Sequence, residues 1–312
     1  MSNYKKKLMS KNGKITMQLA KEMLTFQVGD RISTVGQYSK RFDTARGTVQ
    51  SALKFLQEIK AIGLESRGHL GTYIIKINYK KLWEVSDFGV IMGVMPLPYS
   101  KRYEGLATGL YSAFEKGGIP FSLAFMRGAA KRIEALTSGR YNFAVISKLA
   151  ATLEMRKSSD IEIVYEFEEG SYVGNHVIIF RDDKESKICD GMRVALDTTS
   201  IDQIILTSYE CEGKDVEYID TPYNQILQKL KNDEVDAAIW NVDEIQEKNL
   251  EYNIYPLTNP KTREIDKEDT IATIVISKGN LEFRDIFKKF IKMKEVEETQ
   301  KKVIDNHMIP IY

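Results

Sequence analysis

Two cysteines, three histidines and seven prolines are all that 312 residues supply of these types. Cys189 and Cys211 stand far apart with no metal-type spacing. They imply no disulfide framework, and a reducing cytoplasm is the expected compartment. A zinc centre takes about four ligands, so the scattered His69, His176 and His307 lead to the expectation that no metal is bound. Apolar runs fall far short of the roughly 18 residues that cross a bilayer, and no membrane partner is expected. Met1–Lys14 is basic but has no apolar stretch behind it, so no secretory leader is read. Walker A, HExxH and GxSxG sequences are absent, and no cofactor is expected.

What the chain does have is a split charge. Residues 1–80 hold 15 Lys and Arg against 5 Asp and Glu, whereas the rest hold 30 against 39. A basic quarter joined to an acidic remainder predicts one domain for a polyanion and another for something else. In the basic part, Ile15, Leu19, Met23 and Phe26 mark a first helix near Lys14–Phe26. Thr34 and Gln37 form a capping box for a short second helix. A third helix runs from Arg46, with Val49, Ala52, Leu53, Leu56 and Ile59 inward, and stops at Gly63. Two strand-like pieces then flank Arg67-Gly68-His69-Leu70-Gly71, a basic, glycine-bearing tip.

Three helices and a hairpin make a winged helix-turn-helix, whose third helix enters the major groove of double-stranded DNA. Arg46, Thr48 and Gln50 are the candidates for base readout, since Arg matches guanine and Gln adenine. Thr34, Lys54, Arg67 and His69 are the further DNA candidates, with Lys54 and Arg67 on the phosphates. Some winged helices are protein–protein modules, but the excess positive charge favours DNA. Val28-Gly29-Asp30-Arg31-Ile32, Arg46 through Leu53, Gly63-Leu64 and Leu70 through Ile74 resemble the GntR-type winged helix. That family opens its second helix with Pro-Ser-x-Arg. Here Ser33-Thr34-Val35-Gly36 puts Gly36 where a DNA-contacting Arg normally stands, and Ala45 replaces the usual capping Ser.

Lys76–Glu84 reads as a strand end running into a stiff lysine-rich linker. From Phe88 onward, strands alternate with helices, which predicts α/β lobes with parallel sheets. The order repeats after Met192, and no dinucleotide-type glycine fingerprint accompanies it. Glu217 through Leu230, Val235-Asp236-Ala237-Ala238-Ile239 and Gly191 through Ala195 resemble the type II periplasmic-binding-protein fold, two lobes with a cleft between. The whole layout, head plus body, resembles the YhfZ family of transcriptional regulators. The expected architecture is therefore α/β, with an N-terminal winged helix-turn-helix at 1–80 and a two-lobed ligand-binding domain at 84–312. Lobe 1 takes about 84–174 and 272–312, and lobe 2 about 175–271.

Ligands of open sheets lie at the carboxyl ends of strands. These ends supply Tyr99 and Ser100, Arg127 and Gly128, Ser147 and Lys148, Thr198, Thr199 and Ser200, and Asn241. Thr198-Thr199-Ser200 precedes a helix, where backbone N–H groups favour an anion, and Arg127 can clamp a carboxylate or phosphate. Thr-Thr-Ser is equally a good helix cap, Arg127 an ordinary ion-pair partner, and Trp240 more simply core. The expected ligand is a small, anionic effector. Glu166, Glu168, Glu169, Asp197 and Asp220 read as solvated faces rather than acid–base pairs, and no catalytic residue is nominated. The resulting expectation is a cytoplasmic, homodimeric, ligand-responsive transcriptional regulator. An enzyme or a solute-binding protein on the same two-lobed fold is the alternative.

Overall fold

A computed structural model describes residues 10–312; residues 1–9, which carry much of the basic stretch at Met1–Lys14, lie outside the described residues. The chain divides into two compact units. The first holds the described residues up to Ile91 together with Phe114–Phe121 and Leu281–Lys292. The second holds Met92–Ala113, Ser122–Asn280 and Met293–Tyr312.

The first unit starts with α1 (Lys11–Thr25), capped by Ser10 Oγ on the Gly13 amide at 3.1 Å. Strand β1 (Arg31–Ile32) leads to α2 (Val35–Arg41), which begins at the capping box of Thr34 and Gln37. The third helix, α3 (Arg46–Glu58), buries Val49, Ala52, Leu53 and Leu56. Strands β2 (Ile62–Ser66) and β3 (Thr72–Ile77) form the hairpin, and β1 adds a third strand antiparallel to β3. This is a winged helix-turn-helix. Residues 76–84 are not a linker: they end β3 and enter α4 (Tyr79–Ser86). Leu82 and Trp83 are buried and α4 packs on α1, so two apolar side chains outweigh the lysines around them. Helix α12 (Leu281–Phe290) also packs on α1, and Lys289 Nζ donates to the carbonyls of Leu24 (2.8 Å) and Phe26 (2.5 Å). An ammonium on these terminal carbonyls satisfies groups that a helix end leaves without partners.

The second unit contains two five-stranded sheets. In lobe 1, β4 (Ile91–Met95), α5 (Lys101–Lys116), β5 (Phe121–Phe125), α6 (Ala129–Thr137), β6 (Phe143–Ser147), α7 (Lys148–Lys157) and β7 (Ile161–Glu166) follow in turn. The chain then crosses to lobe 2, which contains β8 (His176–Phe180), β9 (Arg193–Leu196), α8 (Ile201–Glu210), β10 (Glu217–Asp220), α9 (Ile226–Lys231), β11 (Ala237–Asn241), α10 (Val242–Glu247), β12 (Asn253–Pro256) and α11 (Pro260–Asp269). It crosses back into β13 (Ala272–Ser277), and after α12 ends in α13 (Met293–Ile304).

The sheets are mixed rather than purely parallel. Their orders are β5-β4-β6-β13-β7 and β10-β9-β11-β8-β12. Strands joined by crossover helices pair in parallel, as β4 with β6 and β9 with both β10 and β11. The strands entered from the other lobe run antiparallel: β13 to β6 and β7, β8 to β11 and β12. A chain arriving through an inter-lobe crossing has no helix to return it to the starting edge, so the parallel rule does not govern it. The two crossings are tied to each other. The Tyr172 amide donates to the Thr270 carbonyl at 2.8 Å and the Phe167 amide to the Ala272 carbonyl at 3.0 Å. The Ala272 amide donates to Ser171 Oγ at 2.9 Å. Each sheet is covered by apolar faces, Val94, Ile133, Leu136 and Ile146 in lobe 1 and Ile179, Ile226, Ile239 and Leu206 in lobe 2.

Candidate functional site

In the head, Arg46, Gln50 and Lys54 lie one turn apart on the exposed face of α3, while Thr48 is half-buried. Helix α3 starts at Ala45 without a side-chain cap. The Arg46 guanidinium lies over Gly36: a methyl group added at Gly36 would stand 3.7 Å from Arg46 Nη2. Gly36 thus leaves room for the guanidinium of the first residue of α3. Thr34 is committed to its cap, accepting from the Gln37 amide at 3.3 Å and donating to Gln37 Oε1 at 3.0 Å. In the wing, Arg67 Nε pairs with Glu65 at 2.6 Å and its guanidinium lies 4.7 Å from the Tyr73 ring centroid. His69 and Leu70 stand exposed at the tip. Among the described residues, Lys54 has a single long contact, 3.7 Å to Glu58.

The second unit carries a cavity of about 90 Å³ where its two lobes meet. Of the residues nominated from strand ends, Tyr99, Arg127, Gly128, Ser200 and Asn241 line it. Ser100, Ser147, Lys148, Thr198 and Thr199 do not. Ser100 is buried. Ser147 caps α7 by accepting from the Ala150 amide, and Lys148 pairs with Glu166 at 2.6 Å. Thr198 Oγ1 donates to Asp220, and Thr199 donates both its amide (2.9 Å) and its hydroxyl (2.6 Å) to Asp197 Oδ1. Asp197 is therefore not a solvated carboxylate: it is buried and also accepts the Tyr223 amide on Oδ2 at 2.9 Å. Trp240 is core, 1% exposed and stacked on Tyr223 with ring centroids 3.9 Å apart.

Two arginines of lobe 1 reach this cavity. Arg127 pairs with Asp197 Oδ2 at 3.9 Å, longer than a hydrogen bond. Arg132 is buried and spends its donors on the Val145 carbonyl (3.1 Å), the Met126 carbonyl (2.8 Å) and the Tyr172 hydroxyl (2.9 Å). Desolvation pushes the Tyr172 phenol up to about 12 and raises Tyr99, so both stay protonated at neutral pH. The lobes close tightly here. Gly128 has φ +81°, and a Cβ there would stand 2.7 Å from the Thr199 carbonyl oxygen of lobe 2. Arg102 Nε of lobe 1 pairs with Asp243 of lobe 2 at 2.8 Å.

Strand-end reasoning missed the acidic floor. Asp202, Gln203, His176 and Asp269 all line the cavity. Burial raises the Asp202 and Asp269 carboxyls above their ordinary range, and the neighbouring Asp202 raises Asp269 further. Asp202 Oδ1 and both Asp269 oxygens have no other donor among the described residues, nor has Gln203 Oε1 a partner. His176 is held between Asp266 (Nδ1 to Oδ1, 2.7 Å) and Asp269 (Nε2 to Oδ2, 3.5 Å).

The family described as the YhfZ C-terminal domain matches residues 78–312 of this chain. The chain belongs to the YhfZ family. A helix-turn-helix domain family matches residues 27–74, across α2, α3 and the wing. The YhfZ protein of Escherichia coli (strain K12) is 38% identical over 232 residues, which cover 74% of this chain and 75% of that protein. The crystal structure of YhfZ from Shigella flexneri is 33% identical, covers 75% of this chain and 97% of its own, and superposes with a TM-score of 0.60. The periplasmic aliphatic sulphonate binding protein SsuA from Escherichia coli shares the fold at 12% identity and a TM-score of 0.52, covering 70% of this chain and 75% of its own. The family's body is thus a periplasmic-binding-protein-like domain. No helix among the described residues is long and apolar enough to cross a membrane.

Proposed function

We propose that this protein is a ligand-responsive transcriptional regulator rather than an enzyme, with a small effector held between the lobes of the body. The observation that carries the reading is the pairing, in one chain, of a helix-turn-helix head with an inter-lobe cavity lined by polar groups. In the head, Arg46 and Gln50 read base edges in the major groove, and Lys54 sets the helix on the phosphate backbone. Arg67, held against Glu65 and Tyr73, presents the wing to the adjacent backbone. The regulator acts in the cytoplasm as a homodimer, because one winged helix spans few base pairs and paired half-sites supply the rest.

The effector carries an anionic group. Arg127 supports this, since its guanidinium lines the cavity and its ion pair with Asp197 is longer than a hydrogen bond. An incoming carboxylate or phosphate completes the fork with a charge-assisted bond worth about 1.5–3 kcal/mol. Effector binding holds the lobes together, and the change in lobe spacing biases the DNA-bound state. The test is mass spectrometry of small molecules released from the purified protein, then calorimetry of the released compound with wild type and Arg127→Ala. The variant is expected to bind at least tenfold more weakly. Equal affinity, or an uncharged compound, removes the anion assignment. Gel shifts with DNA upstream of the gene test the regulator reading separately.

A further inference from the structure

The cavity between the lobes measures about 90 Å³, the liquid share of about three waters. An apolar cavity of about 150 Å³ takes up benzene, which has six heavy atoms, so this one admits a compound of no more than about six non-hydrogen atoms. Its walls already meet across the lobes: a Cβ at Gly128 would stand 2.7 Å from the Thr199 carbonyl oxygen.

Most polar side chains of the lining are spent within the protein. Arg132 donates to two carbonyls and to the Tyr172 hydroxyl. Asp197 accepts from Thr199 and from the Tyr223 amide. Asn241 Oδ1 caps α10 on the Asp243 amide at 2.9 Å. Asp202 and Asp269 hydrogen-bond to one another and burial raises both, so a proton held between them accounts for that pair. His176 Nδ1 pairs with Asp266 at 2.7 Å.

What is left over differs between the two walls. On lobe 1, Arg127 reaches Asp197 only at 3.9 Å, and the Tyr99 hydroxyl is buried without a partner among the described residues. Both are donors, since burial keeps the phenol protonated. On lobe 2, Gln203 lies in the first turn of α8 with its side chain 3% exposed, and its Oε1 finds no donor among the described residues. A buried amide oxygen without a donor is costly, and it lines the cavity. Donors on one wall and an acceptor on the other call for a molecule with a carboxylate at one end and an O–H or N–H at the other. A carboxylate takes three of the six atoms, so the donor stands on the next carbon or the one after it.

We propose that the effector is a two- or three-carbon hydroxy or amino acid, its carboxylate held by Arg127 and Tyr99 and its hydroxyl or ammonium donating to Gln203 Oε1, which makes Gln203 the residue that sets specificity. The inference rests on the anionic reading of Arg127 and adds to it a size and a second functional group. A simple fatty acid of the same shape puts a methyl group against Gln203 and leaves the amide oxygen unpaired, so the site discriminates against it.

The experiment is calorimetry of the full chain, dialysed free of small molecules, with glycolate, glycine, lactate and alanine, the last two as both enantiomers. Propionate is the methyl isostere of glycolate and glycine, and isobutyrate that of lactate and alanine. At least one hydroxy or amino acid should bind about tenfold or more tighter than its isostere, and Gln203→Met, of similar length but apolar, should remove that preference. The stronger series tells hydroxyl from ammonium. Four results overturn the proposal: none of the acids binds wild type, the isosteres bind equally well, Gln203→Met keeps the preference, or inorganic phosphate binds tighter than every acid. Three of these need only wild-type protein, so a variant that fails to fold does not protect the idea. A released compound that is anionic but far larger than about six non-hydrogen atoms removes this proposal and leaves the Arg127 reading standing. Acid binding unchanged in Arg127→Ala, with the preference over the isostere intact, removes the Arg127 assignment and not the role of Gln203.

Discussion

Ser147, the last residue of β6 in one lobe, donates its hydroxyl to the carboxylate of Asp202 in the first turn of α8 in the other, at 2.9 Å. The same hydroxyl oxygen accepts the Ala150 amide at the start of α7 at 3.1 Å. One buried side chain therefore caps a helix in its own lobe and fixes a charged group in the next. Ser147→Ala removes both bonds at once. A loss of about 1–3 kcal/mol is expected from a denaturant melt, with the head's DNA contacts untouched. A change within a few tenths of a kcal/mol would show that the bond contributes nothing to stability.

On the recognition helix, Arg46 is exposed, so Arg46→Ala should leave the melting temperature unchanged while costing about 1–3 kcal/mol on the cognate DNA. Lys54→Ala should act differently: affinity falls on all sequences alike, and the slope of log affinity against log salt drops by about 1. Anisotropy titrations at several salt concentrations separate the two. Arg46→Ala binding with wild-type affinity and selectivity would sink the readout assignment.

Gly128 tests lobe closure. Any side chain there meets the Thr199 carbonyl oxygen at 2.7 Å and holds φ +81°, which L-residues rarely adopt. Gly128→Ala should weaken effector binding and increase the radius of gyration in small-angle scattering, as the lobes part. An unchanged scattering profile with unchanged binding would contradict the tight approach.

The two thiols should behave as different chemical species. Burial pushes the Cys211 thiol up to about 11, while Cys189 is partly exposed. A disulfide reagent at pH 8 should label one thiol per native chain quickly and the second only on unfolding. Labelling of both at equal rates in the native protein would refute this.

Acid stability should carry the mark of Asp236. Arg193 grips it with Nη2 at 2.8 Å and Nε at 3.0 Å, and this hydrogen bonding holds the carboxyl below its ordinary 3.8. A depressed carboxyl stabilises the fold fully above the ordinary value and loses that contribution as pH falls through the depressed one. Asp236→Asn should therefore be less stable than wild type at pH 7. The gap should close as pH falls through the depressed value, as guanidine melts across the acid range can follow.

The head was nearly all legible because its signals are local. Thr34 and Gln37 set the start of α2, the spacing of Val49, Ala52, Leu53 and Leu56 set α3, and the glycines at 68 and 71 set the wing. Helix α4 was not, because Lys80 and Lys81 flank the only two large apolar side chains it buries. In the body, alternation of strands and helices announced two lobes, but not the direction of β8 and β13, which depends on where the chain crosses rather than on any local pattern. The site was half legible. Strand ends led to Arg127 and Ser200, whereas Asp202 and Gln203 sit inside the first turn of α8, and His176 and Asp269 sit at the inter-lobe crossings. A carboxylate two residues past a serine reads as helix-start polarity, and only the tertiary fold shows that it is buried.

The paired crossings give the molecule a mechanical character. Two short segments, braced by the amides of Tyr172, Phe167 and Ala272, form a flat flexure like the leaf spring of a balance. The bonds couple the two crossings, so bending one loads the other. His176 and Asp269 sit beside the clamped ends of that spring.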